Sequence, residues 1–254
     1  GRPRTSTPDV SEGHASERLS YIDQSISLVE TAQMRALDSI LRTAQARVSR
    51  IRTAVVEAGL NPDSLQTSGA APMGGPLVLP AAHAKPDPFE KLAERASTSL
   101  IQLDHLRRST AALPFGRPTM GDPDLTSGFG TRVDPFTRGP ALHTGLDFRA
   151  DHGAPVRAAG AGRVVSAEYA GGYGNMVEVD HGHGVTTRYA HLSAISVSVG
   201  QTVAPGAILG RVGSTGRSTG AHLHYETRIN DEPVDPQRFL RAGAMLAAAD
   251  ATLR

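Results

Sequence analysis

The chain has 254 residues, which is enough for one ordinary domain and a smaller module. Its net charge of +1 is too small to argue for nucleic acid or a strongly acidic partner. The absence of cysteine excludes a disulfide framework, a thiolate zinc finger and a cysteine nucleophile. A metal site would therefore use His, Asp and Glu, and these ligands suit zinc better than copper or an iron–sulfur cluster. No stretch approaches the ~20 apolar residues of a membrane span.

The sequence begins at Gly1 rather than at a methionine. We therefore expect a fragment of a longer protein, from which a signal or membrane-anchor segment has been removed.

The first half of the chain has helical periodicity. Residues 14–58 lack Gly and Pro and predict a helix over about 15–59. Its apolar residues recur at steps of three and four, at Leu19, Ile22, Ile26, Val29, Leu37, Ile40, Ala44, Val48, Ile51 and Val55. A second helix is expected over about 87–112, opened by Asp87-Pro88. The intervening 60–86, rich in Pro, Gly and Ala, predicts a flexible connection. Residues 1–113 thus predict a long antiparallel, coiled-coil-like helical hairpin, whose role is either packing alone or regulation.

The pattern changes at Pro114, since residues 1–113 contain 6 glycines and residues 114–254 contain 21. Short period-two runs separated by glycine predict a compact, mainly antiparallel β domain over 114–241. The expected strands are Gly162–Ala170, Asn175–Asp180, Val185–His191 and Ala221–Ile229. Residues 242–254 are expected to form a short helix or a frayed C-terminal tail. The fold class is therefore α+β with two domains.

Seven of the ten histidines fall between His143 and His224, inside the predicted β domain. His143 and Asp147 are four residues apart, and Gly145 favours an extended segment in which both project from one face. His222 and His224 share one face of a strand, opposite Leu223 and Tyr225. Taken alone, each pattern is also common in structural hydrogen bonding, but two of them in one domain favour a metal site.

The remaining seven histidines comprise one further candidate and six that are expected to be structural or to lie in turns or at the surface. His191 is a third, isolated candidate. Glycines around His181 and His183 indicate a turn, as does Gly153 beside His152. The other three, in or beside the helical part, are expected at the surface: His14, His83 and His105.

Between about Gly116 and Leu240 the sequence resembles the lysostaphin/LytM-type peptidoglycan metallopeptidase family. The resemblance rests on these motifs: Ser127-Gly128-Phe129-Gly130, His143-Thr144-Gly145-Leu146-Asp147-Phe148, Gly174-Asn175, Tyr189-Ala190-His191-Leu192, Gly213-Ser214-Thr215-Gly216 and Ser218-Thr219-Gly220-Ala221-His222-Leu223-His224. It implies one Zn²⁺ per chain, held by His143, Asp147 and His224. It also implies that His191 and His222 are the catalytic histidines, and it leaves open which of them is the general base.

The resemblance implies a zinc metalloendopeptidase that cuts peptidoglycan cross-links, in the periplasm or cell envelope and anchored to the inner membrane in the full-length protein. The helical region resembles that of Gram-negative members, which implies D-alanyl–diaminopimelate as the bond cut. Expected partners are peptidoglycan stem peptides, and a regulatory protein or a second copy of the chain at the helical hairpin.

Two other hypotheses stay open. One is a non-catalytic, peptidoglycan-binding or hydrolase-activating scaffold, and the other is a structural module whose histidines satisfy core hydrogen bonds. Whether the hairpin is a lid, a spacer or a dimerisation element is also open.

Overall fold

The computed structural model describes residues 10–67, 87–121, 124–134 and 137–251. Most of the expected connection over 60–86 therefore lies outside the described residues, as does His83. The described residues divide into two compact units, one of residues 10–47 and 87–103 and the other of residues 48–67, 104–121, 124–134 and 137–251. Within these residues no helix is long and apolar enough to cross a membrane.

Helix α1 spans Val10–Glu57 and helix α2 spans Pro88–Thr110. Both are close to their expected bounds, and Asp87 caps α2 by accepting the Glu90 N–H at 2.7 Å. Both helices cross the boundary between the two compact units.

The direction of the two helices differs from the expected antiparallel hairpin. In the N-terminal unit, residues 34–38 of α1 lie beside residues 88–95 of α2. Further along each helix burial increases, with Leu41 and Ala44 buried on α1 and Ala96 and Leu103 buried on α2, while Val29 is exposed. The helices therefore run parallel. The long connection permits this arrangement, because 19 residues, 68–86, can span up to about 65 Å, more than the ~35 Å length of α2.

The first residues of the connection are ordered, contrary to the expectation of a flexible segment from residue 60 onward. Ser64–Thr67 form a 3₁₀ turn, and Leu65 is buried. Within the same C-terminal unit, Arg238 donates to the Glu57 carbonyl oxygen at 3.0 Å and Arg241 pairs with the Glu57 carboxylate at 2.7 Å. The last turns of α1 thus belong to the C-terminal unit rather than to a separate helical domain.

The C-terminal unit contains a mainly antiparallel β domain, which confirms the expected fold class. The strands are β1 Leu125–Ser127, β2 Gly130–Val133, β3 Pro140–His143, β4 Leu146–Arg149, β5 Pro155–Arg157, β6 Gly162–Tyr169, β7 Asn175–Asp180, β8 Val185–Ile195, β9 Thr202–Val203, β10 Ile208–Val212, β11 His222–Ile229 and β12 Glu232–Val234. Helix α3, Gln237–Ala251, follows them, so the expected tail is largely helical.

One large sheet carries the core. Its strand order is β1-β4-β11-β8-β7-β6-β9, while β10 pairs with β5 and β8, and β12 pairs with β11. Strands β2 and β3 form a separate two-stranded ribbon. Alternate residues of the central strands enter the apolar core, including Tyr189 of β8 and Leu223 and Tyr225 of β11. The opposite face of these strands is left to carry polar side chains.

Candidate metal centre and active site

Three side chains converge on one point of the sheet. The His143 Nε2, Asp147 Oδ1 and His224 Nδ1 atoms lie 2.9–3.1 Å from one another, and all three residues are buried. Ligand atoms on a tetrahedral zinc with bonds of about 2.1 Å lie about 3.4 Å apart, so the observed triangle is near that size. Two imidazoles and one carboxylate are also the donor types that zinc accepts. These residues fit a zinc ion.

Strand register brings Asp147 and His224 together. Strand β11 pairs with β4 so that His224 lies directly opposite Asp147, and residues opposite each other in an antiparallel pair share one face. Leu223 and Tyr225 point to the other face and are fully buried in the core. The burial of these two residues fixes the phase of β11, so His224 must face the site.

His143 reaches the site by a different route from the one expected. It ends β3, whereas Asp147 lies in β4, so the two residues do not share one extended segment. Thr144 and Gly145 form the corner between the strands. A Cβ at Gly145 would lie 3.0 Å from His224 Cε1 and closer still to the Tyr225 carbonyl oxygen. Glycine is required there because the corner packs directly against β11.

Hydrogen bonds orient both imidazoles. His143 donates from Nδ1 to the Gly128 carbonyl oxygen at 2.7 Å, which leaves its Nε2 lone pair for the site. His224 Nε2 lies 3.1 Å from Glu226 Oε1, which leaves Nδ1 for the site. A carboxylate or carbonyl on the far nitrogen is the usual support of a metal-bound histidine.

Glu226 is fully buried and is held by polar groups on every side. It accepts from the Tyr173 hydroxyl at 2.8 Å and the Arg228 guanidinium at 2.7 Å, and also from the Thr144 hydroxyl. Burial raises the pKa of Glu226, but the hydrogen bond and charge of His224 and the hydrogen bonds from Thr144 and Tyr173 outweigh burial and lower the pKa to about 2. Glu226 is therefore an anion. It can stabilise positive charge on His224 or on a cation that His224 binds.

The Asp147 carboxylate is also strongly stabilised as an anion. Burial alone would raise the pKa of Asp147, but hydrogen bonds and charge from His143 and His224 hold it well below its usual value. Its second oxygen, Oδ2, accepts from the Arg132 guanidinium at 3.2 Å. Asp147 is thus already in the deprotonated form that binds a cation.

His191 and His222 stand beside the triangle. Their ring centroids are 4.8 Å apart, and His222 Nε2 lies 3.8 Å from Asp147 Oδ1. His191 Nδ1 donates to the Thr215 carbonyl oxygen and His222 Nδ1 to the Gly220 carbonyl oxygen, each at 2.8 Å. Each ring therefore keeps an Nε2 lone pair. Burial, together with the nearby His222 and His224, lowers the pKa of His191 to about 4, so this imidazole is neutral at pH 7.

A bulge in β8 brings His191 to this face. Tyr189 and Leu192 both enter the core, and opposite them β7 has one residue fewer. The extra residue is accommodated where His191 adopts φ +60°. Regular alternation would have pointed His191 into the core, and the bulge redirects it.

Residues 141–236 match Peptidase family M23. The catalytic domain of the antimicrobial peptidase lysostaphin from Staphylococcus simulans is 34% identical, with a TM-score of 0.44, and the match covers 47% of this chain and 92% of that domain. The chain contains a peptidase family M23 domain over residues 141–236. The resemblance seen in the sequence is thereby confirmed.

Two curated relatives match about half of this chain or slightly less. The "DD-carboxypeptidase/endopeptidase Mpg" of Neisseria meningitidis is 52% identical over 126 residues, which are 50% of this chain and 29% of the relative. The "Peptidoglycan DD-endopeptidase ShyA" of Vibrio cholerae is 43% identical over 107 residues, 42% of this chain and 25% of the relative. The chain thus matches less than a third of the length of either relative.

The other histidines of the M23 domain lie apart from this cluster. His181 is buried, with its Nδ1 donating to the Ala161 carbonyl oxygen at 2.6 Å and its Nε2 2.8 Å from the Thr187 hydroxyl. His183 sits at φ +55° in the turn after β7, and His152 is exposed in another turn. These positions agree with the sequence prediction that the glycines beside His152, His181 and His183 indicate turns or structural roles.

Sequence reasoning missed several residues that line the same cleft or support it. Glu226, which was left unassigned, could have been found by extending the period-two face of His222 and His224 by one step. Arg132, Asp134, Tyr173 and Arg217 line the cleft but come from segments without such a signal.

Proposed function

We propose that this chain is a zinc-dependent endopeptidase that hydrolyses peptide cross-links of bacterial peptidoglycan in the cell envelope. The single observation that carries the proposal is the triangle of His143, Asp147 and His224, with two further imidazoles beside it. The relatives named as a peptidoglycan DD-endopeptidase and as a DD-carboxypeptidase/endopeptidase support the substrate class. They also support the D-alanyl–diaminopimelate bond, in which the two centres flanking the amide have the D configuration.

His143, Asp147 and His224 would hold one zinc ion. When bound, zinc supplies Lewis-acid activation of a water molecule and of the scissile carbonyl. Three protein ligands leave a fourth tetrahedral position, which is the arrangement of catalytic rather than structural zinc.

The two free imidazoles would carry the proton chemistry. Both are fixed by carbonyl acceptors in the tautomer that directs the Nε2 lone pair away from the backbone. A neutral ring can accept a proton from water and return it to the leaving amine, while a protonated ring can stabilise the developing oxyanion. We assign these two tasks to the pair of His191 and His222 jointly.

The test is digestion of purified sacculi by the protein, followed by mass analysis of the products. We expect D-alanyl–diaminopimelate cross-links to be cut, activity to be lost with a chelator, and activity to return with added zinc. Intact cross-links, with one zinc bound per chain, would contradict the proposal and favour a binding or hydrolase-activating scaffold. Activity that resists complete metal removal would contradict the role of zinc.

We also propose that the N-terminal helices regulate access to peptidoglycan, through a partner protein or a second copy of the chain. Leu19, Ile22, Ile26 and Val29 support this role, because they form a continuous apolar stripe on α1 and each is at least half exposed. A deletion that starts the chain near Leu113 is unsuitable as a test, because it removes buried residues of the C-terminal unit such as Val55 and Leu106.

Deletion of residues 1–33 is a better test. We expect it to change cleavage of sacculi without changing cleavage of a small soluble cross-linked peptide. Equal rates of the full and shortened chains on both substrates would leave the stripe without a regulatory role.

A further inference from the structure

Two guanidinium groups line the cleft beside the ligand triangle. Arg132 lies on β2, and its side chain is 39% exposed. Arg217 lies in the loop before β11, on the same cleft. Neither has a place in the proton chemistry proposed above.

The two arginines differ in their partners. Arg217 pairs with Asp134 Oδ1 at 2.6 Å, a carboxylate whose Oδ1 also accepts from the backbone N–H and hydroxyl of Thr137. Arg217 is therefore occupied in joining two loops. Arg132 donates one N–H to Asp147 Oδ2 at 3.2 Å, and a guanidinium has five donors in a planar fork. Arg132 can therefore hold Asp147 and a second anion at the same time.

The charge of the cleft favours such an anion. The charged residues that line it, among those described, are Arg132, Asp134, Asp147 and Arg217. Their formal charges sum to zero, so a divalent metal leaves the cleft with a surplus of about two positive charges. A negatively charged group on the substrate would be attracted to the Arg132 donors that bond no other described residue.

A substrate with a D,D amide carries an anion in the right place. The carbon next to its scissile nitrogen bears a free carboxylate, on diaminopimelate in a cross-link and on the last residue of a D-alanyl-D-alanine end. That carboxylate lies only a few bonds from the scissile carbonyl. Arg132 donates a hydrogen bond directly to Asp147, which is one of the three residues of the candidate metal site.

We propose that Arg132 is the specificity residue that binds the free carboxylate on the residue after the scissile bond. This rests on the proposed peptidase function and extends it, since it restricts the substrate to peptides with that carboxylate. A bidentate guanidinium–carboxylate pair supplies both the energy and the orientation required.

The experiment compares two purified cross-linked peptide dimers with the zinc-loaded full chain. One carries the free carboxylate next to the scissile nitrogen, and the other carries a carboxamide there. A charged hydrogen bond of this kind contributes about 10- to 100-fold, so we expect kcat/KM to favour the free acid by that factor. In Arg132→Gln the acid should lose this advantage, so that kcat/KM becomes about equal for the two dimers.

Controls separate recognition from support of the metal ligand. Zinc content is measured for each variant, and Arg132→Lys should restore part of the preference for the acid. Arg163→Gln, a change on β6, should behave as the wild type. Equal losses on both dimers in Arg132→Gln would overturn the proposal and leave Arg132 as a positioning residue for Asp147.

The wild-type protein alone distinguishes failure of carboxylate recognition from failure of the proposed peptidase function. Equal cleavage of acid and amide would overturn carboxylate recognition and leave the peptidase function in place. Cleavage of neither dimer would overturn the peptidase function and, with it, this inference.

Discussion

Two His–x–His segments lie in the same β domain but differ in where their histidines point. His181-Gly182-His183 joins β7 to β8, and His222-Leu223-His224 opens β11. His181 turns inward to the Ala161 carbonyl oxygen and the Thr187 hydroxyl, while His183 occupies the turn. His222 and His224 instead face one cleft together.

The residue between the two histidines decides the difference. Leu223 is fully buried, so it anchors its strand and sends both neighbours to the opposite face. Gly182 has φ +77° and His183 φ +55°, and this backbone destroys the alternation of a strand. Spacing alone is therefore insufficient to predict a metal site, since the phase of the backbone must also be known.

Among the substitutions that test this comparison, His224→Ala is expected to have the largest effect. This change removes one of three protein ligands and leaves Glu226 without its imidazole partner. We expect zinc occupancy to collapse and cleavage of sacculi to fall to the rate of the metal-free protein. Elemental analysis alongside the cleavage rate checks this, and full zinc occupancy in the variant would remove His224 from the ligand set.

His222→Ala should separate the two members of the same pair. Zinc should stay bound, while turnover falls by about 10²–10⁴, the usual contribution of one acid–base group or oxyanion donor. His191→Ala serves as the parallel case, with the same expected pattern. Loss of zinc in His222→Ala as complete as in His224→Ala would contradict the division of roles.

Glu226→Gln should have a smaller effect, exerted through the metal ligand. It keeps the shape of the side chain and removes the charge that supports His224, so we expect zinc affinity to fall about 10- to 100-fold. Competition with a chelator measures this directly. Glu178→Gln is the matched control, because Glu178 pairs with Arg188 at 2.8 Å but makes no contact with His224 among the described bonds. Equal loss of affinity in both variants would argue against the specific support of His224.

His181→Ala should affect folding rather than chemistry. It leaves the Ala161 carbonyl oxygen and the Thr187 hydroxyl without their buried partner, at a cost of about 1–3 kcal/mol in the free energy of unfolding. Denaturant unfolding of the apo-protein measures the loss. Retained zinc with normal turnover per folded molecule is expected, and a loss of zinc would show that the two His–x–His segments are not so different.

His183→Ala should have the smallest effect of all. Its side chain lies in a turn outside the cleft, so we expect a stability change within about 0.5 kcal/mol and unchanged zinc content and turnover. A clear fall in activity would contradict the turn assignment.

Much of the β domain was predictable because alternation and glycine turns are local signals. The run Asn175–Asp180 forms β7 with the expected bounds. The helices were also found from their apolar stripes, but their direction was not. A stripe shows which face is buried, whereas the direction of the partner depends on the path of the connection between them.

The site was predictable through its ligands and less so through its geometry. The resemblance implied the set of His143, Asp147 and His224, and the register of β4 and β11 gives a reason for their proximity. Arg132 enters from the separate β2–β3 ribbon, and such a long-range approach leaves no periodic trace in the sequence. The bulge at His191 can be recognised only by counting the residues of β8 against those of β7. That count requires knowledge of which residues pair.

That bulge has a consequence for protein engineering. A left-handed backbone is easy for glycine and costly for an imidazole-bearing residue, by roughly 1 kcal/mol. An optimiser that rewarded folding stability alone would therefore replace His191 early, and it would score the change as an improvement. Stability-guided redesign of this scaffold would remove an imidazole of the proposed active site while measures of fold quality improved.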